Sequence, residues 1–457
     1  MNAPTTGSGP SVIVVGGGPS GLSAAFRLQQ AGCTVTVLED DAQAGGKVRT
    51  EVRDGFVMDQ GASVLPQAYT YVMQLLHDAG GDHLLQPGGT TVGFAREDKI
   101  HFLDSAHLLR DAIGTKLISW KSKAKMANLG RDLLKVRPYI NAENLAPLGQ
   151  FWDDETANAY ARRRLTPEVS EFMIDSVLRG LLGTSGEFNS KIDFFYSFTN
   201  IIGTKLNSLK GGMQRYVDTV AAHLNVVTNA RVQSVEESEH EATVTWVDAA
   251  GTRHVDTADA VVLAVWGTQV ASLYPQLHPK AVEYFDDLEY TTSVNLNVAL
   301  SKPPAKNPAF VVCIPESVET NLFAVTLEHN KAPDRVPAGK GLVGLYSMSK
   351  WAEELIDQDD ETVVAQLLAA ADRVIPHLSD DVEFALVNRW NPVVVYSHPG
   401  TYKGLAQLNQ YRPRKRVHLA GDYFSCSNLN TATAGGARAA RELLAAVASP
   451  APALTGR

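Results

Sequence analysis

Residues 12–15 are four consecutive β-branched apolar positions with no polar alternation, the pattern of a short strand buried on both faces. A glycine-rich turn, Gly16 to Gly21, follows at once, and apolar residues then recur at helical spacing over 22–28. The next run, "CTVTVLED", reads as a second strand closing at Glu39, so the chain opens with a β-α-β unit. From Tyr69 to about Leu206 the apolar positions fall three and four apart, which predicts a mostly helical segment. Gly211 and Gly212 then open an amphipathic helix. After it come an alternating strand around Val232, a β-hairpin, and a buried strand over 260–265. Strand-like runs dominate from about Leu288 to Tyr411: "TTSVNLNVALS", alternating with one polar face, then 310–314 and 341–348. The end is a strand, a loop, an alanine-rich helix and the loose tail "SPAPALTGR". The reading is therefore an α/β domain in three pieces, 1–68, 207–287 and 412–448, interleaved with a second domain from 69–206 and 288–411, and a flexible 449–457.

The first turn carries the most chemistry. Gly16, Gly18 and Gly21 stand at G-x-G-x-x-G spacing, which permits a tight turn, a close approach by a pyrophosphate, and close helix-strand packing. The helix start behind them offers unpaired N–H groups and a positive dipole end to that anion. Glu39 closes the second strand, where an acid accepts hydrogen bonds from ribose hydroxyls and repels a 2′-phosphate. Gly45 and Gly46 form a second close-approach point, Arg49 offers donors to a phosphate or carboxylate, and Asp59-Gln60-Gly61-Ala62 is another small-residue turn. Two such turns in quick succession suggest a cofactor longer than one nucleotide.

Composition narrows the partners. The 457 residues suffice for two domains, and the net charge of −9 argues against nucleic acid. No apolar run approaches the ~20 residues of a membrane span, and the opening "MNAPTTGSGPS" has no signal-peptide character, so a cytoplasmic location is expected. Cys33, Cys313 and Cys426 have no metal or redox-motif spacing and read as buried thiols, and no metal site is expected. Residues 106–137 stand apart, mixing Leu, Ile and Trp with eight basic and two acidic residues. Two readings stay open for it: a basic amphipathic element lying on an anionic membrane at the inner face, or a solvated domain surface.

Taken together, "GGGPSGLSAA", Glu39, "GGKVRT", "SLKGGMQRYVD", "ARVQSV", "AVVLAV" and "LAGDYFS" with "NTATAGGARAA" resemble the flavin-dependent family of amine oxidases, protoporphyrinogen oxidases and phytoene-type desaturases. The resemblance covers the nucleotide-binding segments. It implies a glutathione-reductase-type FAD-binding Rossmann domain interrupted by an α+β substrate domain, with FAD as cofactor. It assigns Gly16, Gly18, Pro19, Ser20 and Gly21 to the diphosphate and Glu39, with Asp40 beside it, to the adenosine ribose. Gly45, Gly46, Lys47, Arg49, Gly61 and Ala62 would line the diphosphate and ribityl region, and Val232 would meet the adenine. Gly421 and Asp422 would hold ribityl and phosphate, and Asn430, Thr431 and Ala432, at the start of the last helix, would face the flavin ring. Thr431, Thr433 and Asn430 are suitable caps for that helix. Its amino end suits the negative charge that a reduced flavin gathers at N1 and the C2 carbonyl.

Within the family, amine-oxidising members usually carry a lysine on the strand matching "TTSVNLNVALS". Here that strand offers Asn295, Leu296 and Asn297, with no lysine before Lys302, and the loop 421–435 has no aromatic residue after Phe424. The loop length and "GGKVRTEVRDGFVMDQGA" are closer to proto- and coproporphyrinogen oxidases, although Ser63 replaces an arginine that some of those carry. The resemblance thus implies dehydrogenation of a cyclic or extended apolar substrate by hydride transfer from carbon to flavin N5, with oxygen or a quinone as final acceptor. Two alternatives stand beside it: an oxidase of a small cyclic or alkyl amine, and a non-catalytic FAD-binding protein. No general base is evident in the sequence. Tyr346, Tyr396, His398, Tyr402 and Tyr423 are the candidates for the substrate pocket, because they lie in the second sheet or beside the flavin loop. Covalent attachment of FAD through Cys426 is not expected.

Overall fold

A computed structural model describes residues 9–201, 204–304 and 307–448; the tail expected at 449–457 lies outside the described residues. Five strands form an all-parallel sheet in the order Asn225–Val227, Thr34–Leu38, Ser11–Val15, Ala260–Leu263, Val417–Leu419. Ser11–Val15 lies in the middle, with Val12 opposite Val35 on one side and Ala260 on the other. Its unbroken apolar run follows from this position. Val12 and Val14 pack with Ala24, Leu28, Ala439 and Leu443 from the helices Pro19–Gln30 and Leu429–Ala448, while Ile13 and Val15 belong to the main core on the other face. The two helices touch because their facing residues are small: a Cβ at Gly436 would stand 2.0 Å from the Ser20 carbonyl. The expected hairpin is Ala242–Val247 with Arg253–Ala258, completed by Arg231–Glu237 into a three-stranded antiparallel layer.

A seven-stranded mixed sheet builds the other half, in the order Val382–Trp390, Ser293–Leu300, Gly341–Ser347, Leu322–Leu327, Val311–Cys313, Thr91–Arg96, Lys99–Asp104. Its last two strands come from the segment expected to be mostly helical. That segment is helical from residue 105 to 201 apart from its loops, but Thr91, Val92, Phe94, Ile100 and Phe102 form a hairpin around Glu97, which adopts φ +53°. The parallel partner Val311–Cys313, with Val311 opposite Val92, fixes the hairpin to the sheet, a contact no local periodicity reports. The expected polar face of Ser293–Leu300 is buried as well: Asn295 and Asn297 donate through Nδ2 to the carbonyls of Gln60 (3.3 Å) and Asp59 (3.2 Å).

Below this sheet lies a closed group of charges. Asp59 accepts from Arg335 Nη1 at 2.7 Å and Lys331 stands 3.7 Å from the same oxygen, with Glu328 3.1 Å from Lys331; all four are buried. The basic segment 106–137 forms the helices Leu108–Gly114 and Trp120–Val136, the second capped by the Ser119 side chain, which accepts from Ser122 N.

Candidate active site

The carboxyl ends of the central parallel strands open on the first glycine turn, the location at which open α/β sheets bind ligands. Gly16 leaves the strand at φ +101°, a conformation L side chains rarely adopt, and donates its N–H to Leu38 O at 2.8 Å. Gly21 serves packing: a Cβ there would fall 1.8 Å from Gly16 O. Gly18 differs from both, having an extended backbone and nothing within 4 Å of the place a Cβ would take. The helix that starts at Pro19 has no side-chain cap, and the buried Ser20 hydroxyl beside it has no hydrogen-bond partner. An open space at a helix amino end, with an unmatched buried hydroxyl, fits a diphosphate.

The second glycine turn closes on the first, with Gly45 N donating to Gly17 O at 2.9 Å and Gly46 abutting Gly18. Arg49 holds this turn through Gly46 O (2.9 Å), Gln43 O (3.1 Å) and Asp41 (2.7 Å). Glu39 accepts from Gly17 N (2.5 Å) and Asp41 N (2.9 Å), and burial raises its pKa against the pull of those amides. Its carboxylate keeps lone pairs for further donors. Ala230 N bonds Glu39 O at 2.8 Å, so the strand carrying Val232 borders the same place. Asp40 is not brought in; it is exposed and pairs with Arg231 at 3.1 Å.

Further along, Lys47 donates to Val393 O, lies over the Trp266 ring at 4.3 Å and stands 3.9 Å from Asp422; burial lowers its pKa, and Asp422 opposes this. Asp422 also accepts from the Ser427 hydroxyl. Gly61 and Ala62 rest on the Lys47 backbone, and Gly421 is packed under the Tyr423 ring. The final helix starts at Leu429, earlier than its expected caps. Asn428 is the cap: its Oδ1 accepts from Asn430 N (2.9 Å) and Thr431 N (3.1 Å). The three expected caps have other partners. Asn430 Oδ1 accepts from Tyr71 N (2.9 Å) at the start of the helix Thr70–Asp78, Thr431 donates to Cys426 O (2.8 Å), and Thr433 donates to Leu429 O (2.8 Å).

One cavity of about 280 Å³ joins these groups to the mixed sheet. It is lined by Pro19, Lys47, Gly61, Ala62, Asp422, Ala432 and Val393 around the glycine turns and the last helix, and by Leu181, Asn295, Phe323, Tyr346 and Trp390 from the mixed sheet and the helix Ser176–Leu182. Tyr346 stacks on Phe323 with centroids 5.8 Å apart, and Trp390 Nε1 donates to Gln60 O at 2.9 Å. Of the five pocket candidates, Tyr346 alone lines the cavity. Tyr423 is packed against Phe285 and Phe424, Tyr402 donates to buried Asp193, and Tyr396 and His398 sit edge to face outside it. Phe323, Trp390 and Leu181 carried no local signal, because register and long-range packing bring them here. Lys302 pairs with Asp381 at 3.3 Å, away from the cavity. The three cysteines are buried and free. Among the described residues no group of three or more His, Cys, Asp or Glu is placed to hold a metal, and no helix is long and apolar enough to cross a membrane.

The family model of flavin-containing amine oxidoreductases matches residues 19–444, which includes both glycine turns, the cavity and the last helix. The chain belongs to that family. It is 22% identical over 438 residues to the coproporphyrinogen III oxidase of Bacillus subtilis (strain 168), covering 87% of this chain and 90% of that one. It is 23% identical to protoporphyrinogen oxidase 2, chloroplastic/mitochondrial, of Arabidopsis thaliana, covering 79% and 80%. Cyclohexylamine oxidase from Brevibacterium oxydans IH-35A shares the fold at a TM-score of 0.73 and 16% identity, over 96% of this chain and 98% of that one. A mixed α/β flavoenzyme fold and FAD as cofactor follow for this family member, and its class is oxidoreductase acting on CH–CH or CH–NH groups.

Proposed function

We propose that this chain is an FAD-dependent dehydrogenase that removes hydrogen from carbon in a cyclic or extended apolar substrate. The observation carrying this is the cavity whose lining joins Lys47, Asp422 and Ala432 to Phe323, Tyr346 and Trp390. Asn295 on its strand stands where an amine-oxidising member is expected to have lysine. The parallel sheet with its antiparallel layer supports a glutathione-reductase-type Rossmann domain made of 1–68, 207–287 and 412–448, and the mixed sheet supports a substrate domain made of 69–206 and 288–411. Gly16, Gly18, Ser20, Glu39 and Gly46 hold the ADP half, with Gly21 and Arg49 packing and bracing the two turns, and Lys47, Asp422 and the turn at Asn428–Ala432 hold the ring half.

When bound, FAD supplies the two-electron acceptor. The residues of the chain orient the substrate and exclude water. Burial, reinforced by Glu328 and Asp59, raises the pKa of the Tyr346 hydroxyl, which therefore stays protonated and donates, and Asp422 is tied to Ser427 and Lys47. One of the two hydrogens would leave as hydride to the bound cofactor, and the other leaves as a proton to water, since Asp422, the carboxylate among the described lining residues, is tied to Ser427 and Lys47. Oxygen or a quinone would serve as the final electron acceptor. The helix Trp120–Val136 supports a peripheral contact of a cytoplasmic enzyme with an anionic membrane: Trp120 and Leu134 are 70% and 69% exposed beside Lys121, Lys125, Arg131 and Lys135. Salt-sensitive sedimentation with anionic vesicles is expected, and its absence removes that contact.

The reaction is tested by anaerobic mixing with porphyrinogens, polyenes, cyclic ketones and amines while the visible flavin band is followed. Bleaching by a carbon-hydrogen donor is expected. Bleaching by amines alone would assign an amine oxidase, and none at all a binding protein.

A further inference from the structure

The charges and dimensions of the cavity define its substrate more narrowly than the reaction class does. Among the described lining residues only Lys47 and Asp422 carry charge, and they stand 3.9 Å apart. Lys47 is further occupied by the Val393 carbonyl and the Trp266 ring. Arg179, on the helix Ser176–Leu182 that forms one wall, turns away and donates to the carbonyls of Glu319 (2.8 Å) and Thr320 (3.1 Å). Behind Tyr346, Arg335 and Lys331 are matched by Asp59 and Glu328. A carboxylate entering here would lose hydration without gaining an unpaired cation, which disfavours its binding.

Size acts in the same direction. A volume of about 280 Å³ lies at the lower edge of the ~300–1,000 Å³ range of drug-sized pockets, and the cofactor ring takes its share of one end. The remaining space has an aromatic wall, Phe323 stacked on Tyr346, that fits one flat ring system, with the Tyr346 hydroxyl as a polar handle. We infer that the substrate is a small, uncharged molecule of one or two rings, held against the Phe323–Tyr346 pair, and that carboxylate-bearing macrocycles are excluded. This rests on the dehydrogenase reading above and narrows its substrate.

The test is titration calorimetry on the FAD-loaded protein with three probes: α-tetralone, a ring-carboxylated tetralone, and coproporphyrin III. Tetralone is expected to bind at least ten times more tightly than its carboxylate, and coproporphyrin III not at all. Leu181, 38% exposed and lining the cavity, has room for a long polar side chain, so Leu181→Arg should raise the affinity for carboxytetralone about tenfold relative to that for tetralone. Tight coproporphyrin binding, equal affinity for the two tetralones, or binding of none of the three would overturn the inference. Since calorimetry reads binding without turnover, the two proposals fail separately. Coproporphyrin III binding together with bleaching by its porphyrinogen refutes the narrow substrate and keeps the dehydrogenase. Selective tetralone binding with no bleaching by any donor does the reverse.

Discussion

Asp193 lies at the start of the helix Lys191–Ile201, fully enclosed, directly behind the loop that carries Asp422 and Asn428. Tyr402 donates to its Oδ1, the Cys426 thiol lies beside it, and Ser197 Oγ stands 3.8 Å from that sulfur. Asp153, the other acid nearby, is already matched by Ser190 Oγ and Tyr402 N, both at 2.8 Å. The nearest lysine on its own helix, Lys191, is bound to Asp154 and Glu155. With no cation facing it, burial, aided by Asp153 and opposed by Tyr402, pushes the Asp193 carboxyl from 3.8 up to about 7. The folded protein therefore holds a proton that the unfolded chain releases near pH 3.8. This site's contribution to stability is fully present below pH 3.8 and is lost as pH rises to 7. At 1.36 kcal/mol per unit the loss amounts to about 4 kcal/mol. Asp193→Asn keeps the neutral shape and removes the titration. Urea unfolding of both proteins from pH 4 to 8 should give equal stability near pH 4 and an advantage for the variant that grows to about 4 kcal/mol at pH 8. Acid loss of other carboxylates, such as Glu442, cancels in the comparison: burial raises its pKa, but Arg412 and Arg438 outweigh that and hold it near 2. A variant less stable than wild type at pH 8, or a difference independent of pH, refutes the assignment of a buried proton.

Three further outcomes are expected. Gly18→Val should fold normally, since the space beside Gly18 is open, yet bind FAD about a hundredfold more weakly, the loss of roughly two charge-assisted hydrogen bonds; Gly21→Ala should instead lower stability by about 3 kcal/mol, because its Cβ meets a carbonyl. Thermal melts and FAD titration separate the two. Arg335→Met leaves Asp59 with Lys331, 3.7 Å away, as its cation and should cost about 3 kcal/mol by urea titration, while adding Asp59→Asn recovers part of it. Asn428→Ala removes the helix cap and should cost about 1 kcal/mol, with FAD affinity falling in parallel.

What the sequence discloses follows interaction range. The strand 12–15, the glycine turn and the acid at Glu39 are legible because their chemistry is contained in thirty contiguous residues. The far wall of the cavity is not. Tyr346 meets Asn295 only through antiparallel register, Trp390 arrives opposite Ser293, and Ala324, next to Phe323, lies opposite Tyr346, so four strands spread over 293–390 must pair before the wall exists. Tyr402 and Tyr423 show the converse. Tyr423 lies beside the cofactor loop in sequence and Tyr402 in the segment expected to build the second sheet, where it falls on the helix Thr401–Tyr411, but burial among Asp193, Phe285 and Phe424 gives both packing roles. The cap lies at Asn428, before the caps expected at Asn430, Thr431 and Thr433, because each of those three is taken by another partner.

The claim that everything else needs is the cradle at Gly18, with Glu39 on one side and the Asn428 turn on the other. Its direct test is calorimetric titration of cofactor-free protein with FAD and, separately, with FMN, which lacks the adenosine half. Uptake of one FAD per chain with no measurable FMN binding is the predicted result; no uptake of FAD, or equal affinity for FMN, contradicts it.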